Sequence, residues 1–266
     1  MPKKPEQLPL SNKPISVLSI TAATHRGYRR EVNEDSLLVV DRIGGGDFES
    51  WARDDLDLAS GPVPLAIADG LGGHRAGEVA SHFSLRELKA RAAEIDFEDG
   101  RAVSELLNDI SRGLHERMRE DPALLGMGST IVVASITSRS VIFVNVGDSR
   151  GYFCDASGFR QITHDDVLQR PTMPTQSRRS GAITQALGGA ATRTRVVPHI
   201  HRVDLPIGQW SIVLCSDGIS DFIPEEKIES ALRDGSIDAR DLINKALEAG
   251  GQDNISAIIA RFGLAP

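Results

Sequence analysis

Four aspartates in this chain share one local setting: an apolar strand or its flank, then the acid, then a small residue or a turn. They are Asp69 (AIAD-G), Asp148 (VNVG-D-S), Asp217 (VLCS-D-G) and Asp253 (GGQ-D-N). A fifth, Asp35, opens the run SLLVV within NEDS. Carboxylates flanking core strands are costly unless they are solvated, paired or bound to a cation. Taken singly, each is explained as a turn residue, because Asp-Gly and Asp-Ser are ordinary turn chemistry. Taken together, with no lysine or arginine beside most of them, they point to a shared cation. A ligand set of oxygens alone favours Mg²⁺ or Mn²⁺ over zinc.

Two other motifs compete for the chemistry. LAIADGLGGHRAGE (65–78) is Gly-rich after an apolar strand, a setting in which backbone N–H groups can cradle phosphate. Here Arg75 stands where a third glycine of G-x-G-x-x-G belongs, and no G-x-x-x-x-G-K-[ST] occurs anywhere. The loop is either a tight turn, or a place where Asp69 holds a metal and the metal holds a phosphate. GDSRG (147–151) satisfies G-x-S-x-G and offers Ser149 to a serine-hydrolase reading. A nucleophile elbow must enter a helix, whereas the residues that follow, GYFCD, are a strand pattern. Ser149 is therefore expected in a hairpin turn, and no histidine follows His201 to complete a late triad.

The acids need a framework. Apolar and β-branched runs predict strands over 15–24, 36–41, 64–69, 129–137, 140–147, 150–155, 159–163, 210–217 and 255–262. Helical spacing of apolar residues predicts helices over 75–93, 102–118, 224–233 and 238–249. Residues 42–62, rich in glycine and acids, are expected to be a surface loop, and the polar, Pro-containing stretch 164–182 a short mobile flap. Segregated strand runs and helix pairs indicate one α+β domain over 15–266, preceded by a disordered polar tail at 1–14. The chain of 266 residues is 40% hydrophobic and 25% charged, an ordinary globular balance. A net charge of -7 argues against nucleic acid as a partner. Cys154 and Cys215 show no zinc or disulfide spacing. No run is long enough to cross a membrane and no signal peptide is evident, so a cytoplasmic location and a monomer are expected.

Eight blocks run along the chain: THRGYRREVNEDS (24–36), ADGLGGHRAGEVAS (68–81), GMGST (126–130), NVGDSRG (145–151), QITHD (161–165), ITQALG (183–188), LCSDG (214–218) and GQDNIS (251–256). In this set and order the chain resembles the metal-dependent PP2C-type (PPM) Ser/Thr protein phosphatases in their bacterial form. The resemblance implies a four-layer αββα sandwich of two antiparallel β-sheets flanked by helix pairs. It implies two Mn²⁺ or Mg²⁺ ions, with Asp69 bridging and Asp35, the Gly70 carbonyl, Asp217 and Asp253 completing the shells. Glu34 and Asn254 would stand just outside, and Asp148 would share a third, weaker ion with Asp217. Arg30 would grip substrate phosphate. The substrates implied are phosphorylated Ser/Thr proteins, products of a cognate kinase. One departure stands out: the family usually places a histidine where this chain has Asp166, and the stretch after it is short.

The physics suits such a centre. A phosphomonoester is an anion that hydrolyses extremely slowly unaided, and paired divalent ions can activate water and neutralise its charge. The leaving alkoxide needs a proton, for which His74 is the candidate; the same histidine is equally explained as a loop residue. SRRS (177–180) either leads acidic phosphopeptides inward or is a solvated charge run. A non-catalytic phosphopeptide-binding protein on the same fold is the remaining alternative, although such proteins lose metal carboxylates and this chain retains them.

Overall fold

The computed structural model describes residues 15–54, 58, 61–72, 76–168, 182–190 and 192–264. The expected tail (1–14), most of the expected flap (169–181) and His74 lie outside them. In chain order the elements are β1 (Ile15–His25), β2 (Asp35–Val39), β3 (Arg42–Gly44), β4 (Phe48–Arg53), β5 (Val63–Leu71), α1 (Ala76–Arg91) and α2 (Gly100–Glu120). Then come β6 (Gly128–Ser129), β7 (Ile131–Ile136), β8 (Ser140–Val146), β9 (Arg150–Asp155), β10 (Gly158–Gln161), β11 (Leu187–Gly188), β12 (His199–Asp204) and β13 (Trp210–Cys215). The chain closes with α3 (Asp217–Ser220), α4 (Glu225–Arg233), α5 (Ala239–Glu248) and β14 (Ile255–Leu264).

Two antiparallel sheets result. One runs β10-β9-β13-β14-β1-β4, and the other β11-β6-β5-β7-β8-β12, with β2 added to β5 and β3 to β2. Strand periodicity then divides the apolar side chains among three interfaces, as a period of two requires. Leu65 and Ile67 of β5 meet Ile212 and Leu214 of β13 between the sheets. Their neighbours Ala66 and Ala68 turn outward to Leu85, Leu107 and Ile110 of α1 and α2. On the opposite face Val213 and Cys215 pack against Ile228, Leu242 and Ile243 of α4 and α5. The αββα sandwich is thus a consequence of strands that are apolar on both faces, which must be covered twice.

The helices follow their stripes and caps. In α2, Val103, Leu106, Leu107, Ile110, Leu114 and Met118 are buried, and Asp99 caps the start by accepting from Arg101 N–H. A reciprocal capping box between Asp238 and Asp241 opens α5.

Two expectations fail. Residues 42–62 are not simply a loop, because β3 and β4 lie within them, and β4 forms the edge of the first sheet beside β1. Edge strands tolerate charge, so FESWAR hid its strand behind a polar composition. β12 (HIHRVD) was missed for the same reason: among the described residues it is an edge strand that pairs with β8 alone. No helix among the described residues is long and apolar enough to cross a membrane.

Candidate functional site

The five aspartates meet at one end of the sandwich. Strand register sets the first pair, since Asp35 of β2 stands directly opposite Asp69 of β5. Asp148 occupies the turn between β8 and β9, Asp217 opens α3 directly after β13, and Asp253 precedes β14. The second sheet is tied to the first at this point. Ser216 Oγ donates to Asp35 Oδ2 at 2.9 Å and accepts from Ser256 N–H at 3.0 Å. Ser216 holds the N-cap position of α3, yet gives its hydroxyl to Asp35 rather than to the helix.

Asp69 is fixed through its backbone. Its carbonyl accepts from Thr130 N–H at 2.9 Å and Ser129 Oγ at 3.1 Å, and its N–H donates to Thr130 Oγ1 at 3.2 Å. Gly70 follows at a close approach, where a Cβ would collide with the carbonyl of Gly77 in the first turn of α1. Only glycine lets that helix start so near the strand. Gly70 N–H donates to the Glu34 carbonyl at 3.1 Å.

Asn254 binds the loop before β2 to the start of β14. Its Oδ1 accepts from Glu34 N–H at 2.9 Å, and its Nδ2 donates to the carbonyls of Arg26 and Val32, each at 2.9 Å. Arg30 Nη2 donates to Asp253 Oδ2 at 2.7 Å, with the Arg30 side chain 49% exposed at the rim.

Burial and mutual repulsion dominate the electrostatics. Asp35 is pushed up to about 7, first by loss of water and then, against the help of Ser256 and Ser216, by Asp253 and Glu34. Loss of water also raises Asp69 and Asp217 well above the ordinary carboxylate range, and neighbouring aspartates add to it. On Asp69 those neighbours are Asp35, Asp217, Asp148 and Asp253, so it stands at the electrostatic centre of the group. Asp148 is raised to about 6 by burial and by Asp221. Burial raises Glu34, with Arg30 opposing.

The donor chemistry fits hard divalent cations. Asp35 Oδ1, Asp148 Oδ1, Asp217 Oδ1 and Glu34 Oε1 are shielded from solvent and have no hydrogen-bond partner among the described residues. Buried carboxylate oxygens without donors require a proton or a cation. The spacing is less decisive, because no trio of His, Cys, Asp or Glu side chains among the described residues is close enough for a closed cage.

A family model described as protein phosphatase 2C matches residues 50–249. The chain belongs to the protein phosphatase 2C family. The serine/threonine phosphatase Stp of Listeria innocua is 30% identical to this PP2C chain over 254 residues, covering 91% of it and 94% of the relative. PstP of Mycobacterium tuberculosis H37Rv is 30% identical over 256 residues, covering 92% of this chain and 45% of the longer relative. A crystal structure of the catalytic domain of PstP, in complex with two manganese ions, matches this PP2C chain with a TM-score of 0.73 at 27% identity, over 94% and 99% of the two chains.

In this PP2C protein the fold brings together Asp35, Asp69, Gly70, Asp148, Asp217, Asp253, Glu34 and Asn254, and Arg30 joins them through Asp253. Sequence reasoning missed Ser216, which orients Asp35, and Asp221, which acts on Asp148. Asp221 carried a signal, standing one helical turn beyond Asp217. Ser149 is buried in the turn between β8 and β9, where its hydroxyl shares a hydrogen bond with Thr130 at 2.8 Å. A strand follows it rather than a helix, so it lacks the setting of a nucleophile.

Proposed function

We propose that this chain is a protein Ser/Thr phosphatase that hydrolyses phosphoserine and phosphothreonine monoesters at a Mn²⁺- or Mg²⁺-dependent centre and opposes a Ser/Thr kinase. The observation that carries the reading is the set of buried, unpaired oxygens of Asp35, Asp148, Asp217 and Glu34 around Asp69. Family membership supplies the reaction class, and the names of the Listeria and Mycobacterium relatives supply the Ser/Thr specificity.

Asp69, Asp35, Asp217, Asp253 and the Gly70 carbonyl would hold the divalent ions. Asp148 would hold a further, weaker one, and Glu34 and Asn254 would support the ligands from outside. When bound, divalent ions at this centre acidify water and neutralise the phosphate. The residues do the rest. Ser216 holds one oxygen of Asp35 and leaves the other unpaired. Arg30 gives one N–H to Asp253 and keeps the others for phosphate oxygens, which a planar guanidinium orients.

Hydrolysis of para-nitrophenyl phosphate and of a phosphothreonine peptide by the purified chain tests this. Turnover should require Mn²⁺ or Mg²⁺, stop on chelation with EDTA and return when Mn²⁺ is restored. Sustained turnover in excess EDTA would refute the metal-dependent reading. Absence of turnover despite Mn²⁺ binding would favour the non-catalytic one.

A further inference from the structure

Gly147 has φ of +97° and precedes Asp148 in the turn between β8 and β9. A glycine in that region has little torsional restraint of its own. Asp148 Oδ1 is buried without a hydrogen-bond partner among the described residues. The turn that aims this carboxylate is held after it by the hydrogen bond between Ser149 and Thr130, and before it by what grips the Gly147 peptide.

That grip comes from Asn145, whose Nδ2 donates to the Gly147 carbonyl at 3.3 Å, and more closely from Asp166. Gly147 N–H donates to Asp166 Oδ2 at 2.9 Å, and Asp166 N–H donates back to the Gly147 carbonyl at 3.0 Å. Asp166 Oδ2 also accepts from Gln185 Nε2 at 3.0 Å, while Oδ1 meets His199 Nε2 at 2.9 Å. Gln185 is fixed in turn by Val197, donating to its carbonyl at 2.9 Å and accepting from its N–H at 2.7 Å. Thr184 N–H donates to the Asp166 carbonyl at 2.8 Å. Asn145 of β8 holds the neighbouring residue, donating to the His164 carbonyl at 2.6 Å and accepting from its N–H at 3.2 Å. One carboxylate, 11% exposed, thus joins the Asp148 turn to β12 and to residues 184–185. The His164 ring lies 4.9 Å from that of His199, but the three side chains do not form a metal cage of their own.

We propose that Asp166, held by His199, is a positioning residue for Asp148. The residue type matters. A carboxylate accepts from Gly147, Gln185 and His199 together, whereas a histidine, the residue that resemblance to the family predicts at position 166, has at most one acceptor nitrogen. In this chain an acid stands at position 166 with His199 opposite it. The functional consequence rests on the phosphatase reading above; the geometry does not.

The test combines Mn²⁺ titration calorimetry with amide hydrogen exchange at Gly147. Asp166→Ala should weaken the lowest-affinity Mn²⁺ binding by about tenfold, the scale on which groups behind metal ligands act, and should speed exchange of the Gly147 amide. In an Asp148→Ala background the same change should cost no further Mn²⁺ affinity, because the effect passes through Asp148. His199→Ala should show a smaller loss, and His199→Gln, whose Nε2 can still donate to Asp166, should recover it. If Asp166→Ala fails to fold, the milder pair at His199 decides between the outcomes. Additive effects of Asp166→Ala and Asp148→Ala, unchanged Gly147 exchange, or identical behaviour of His199→Ala and His199→Gln would overturn this proposal alone. Failure of the unaltered protein to bind Mn²⁺ would overturn it together with the phosphatase reading.

Discussion

A carboxylate buried among other carboxylates is neutralised by a proton or by a cation, and a phosphatase centre exploits the second option. Asp69 and Asp217 both have this environment. Asp69→Asn or Asp217→Asn should lower Mn²⁺-dependent turnover on the order of 10³-fold, since metal charge stabilisation amounts to several kcal/mol. The metal-free melting temperature should hold or rise, because an acid that burial and its neighbours keep from ionising freely is replaced by a neutral amide. Activity assays beside thermal melts check this, and a large drop in melting temperature would mark the acid as a folding residue instead. Arg30→Ala should raise KM for a phosphopeptide by roughly tenfold, the equivalent of one charge-assisted hydrogen bond. It should hold or lower the Mn²⁺ requirement, because Asp253 loses a competing cation; steady-state kinetics at several Mn²⁺ concentrations separates the two effects. At this scale the acids were legible, because residue type and a flanking strand are local features. Ser216 was not, since its role depends on a partner brought to it by the other sheet.

The elements owe their arrangement around the site to a few side chains. Asn254 is 4% exposed and holds Glu34, Arg26 and Val32 to the start of β14. Asn254→Ala would leave several of those groups without partners, at about 1–3 kcal/mol for each one that stays buried. Denaturant unfolding should show a loss of at least about 2 kcal/mol, with the Mn²⁺ requirement raised in parallel. A change within about 0.5 kcal/mol, typical of a surface substitution, would contradict the role. Helices and central strands were legible, because their apolar periodicity is strong and the core interfaces demand it. β4 and β12 escaped, because an edge strand meets solvent along one side and keeps a polar composition.

For the whole molecule, the acid cluster links stability, pH and metal. Asp35 and Asp148 sit at about 7 and about 6 in the fold, against an ordinary value of 3.8. The folded, metal-free chain therefore holds more protons than the unfolded chain across that window. The stability these groups contribute is complete below the ordinary value and is lost as pH rises through 6 and then 7. Melting temperature of chelated protein should fall between pH 5 and pH 8, and Mn²⁺ should restore more stability at pH 8 than at pH 5, where protons compete for the same oxygens. Differential scanning fluorimetry over both conditions reads this directly. A metal effect that is larger at the acid end would contradict it.

The sequence by itself determined which acids exist, their order along the chain, the apolar runs of the central strands, and the family resemblance, through which the four layers were expected. Those are properties of residue type and short-range period. Tertiary structure alone decided which oxygen of Asp35 is held by Ser216 and which is not, that Arg30 pairs with Asp253, and that Asp166 joins Gly147 to His199. Ser216 and Asp35 are separated by 181 positions, and Arg30 and Asp253 by 223. A local pattern carries no information about a hydrogen bond across such a span, which forms only when strand register brings its ends together.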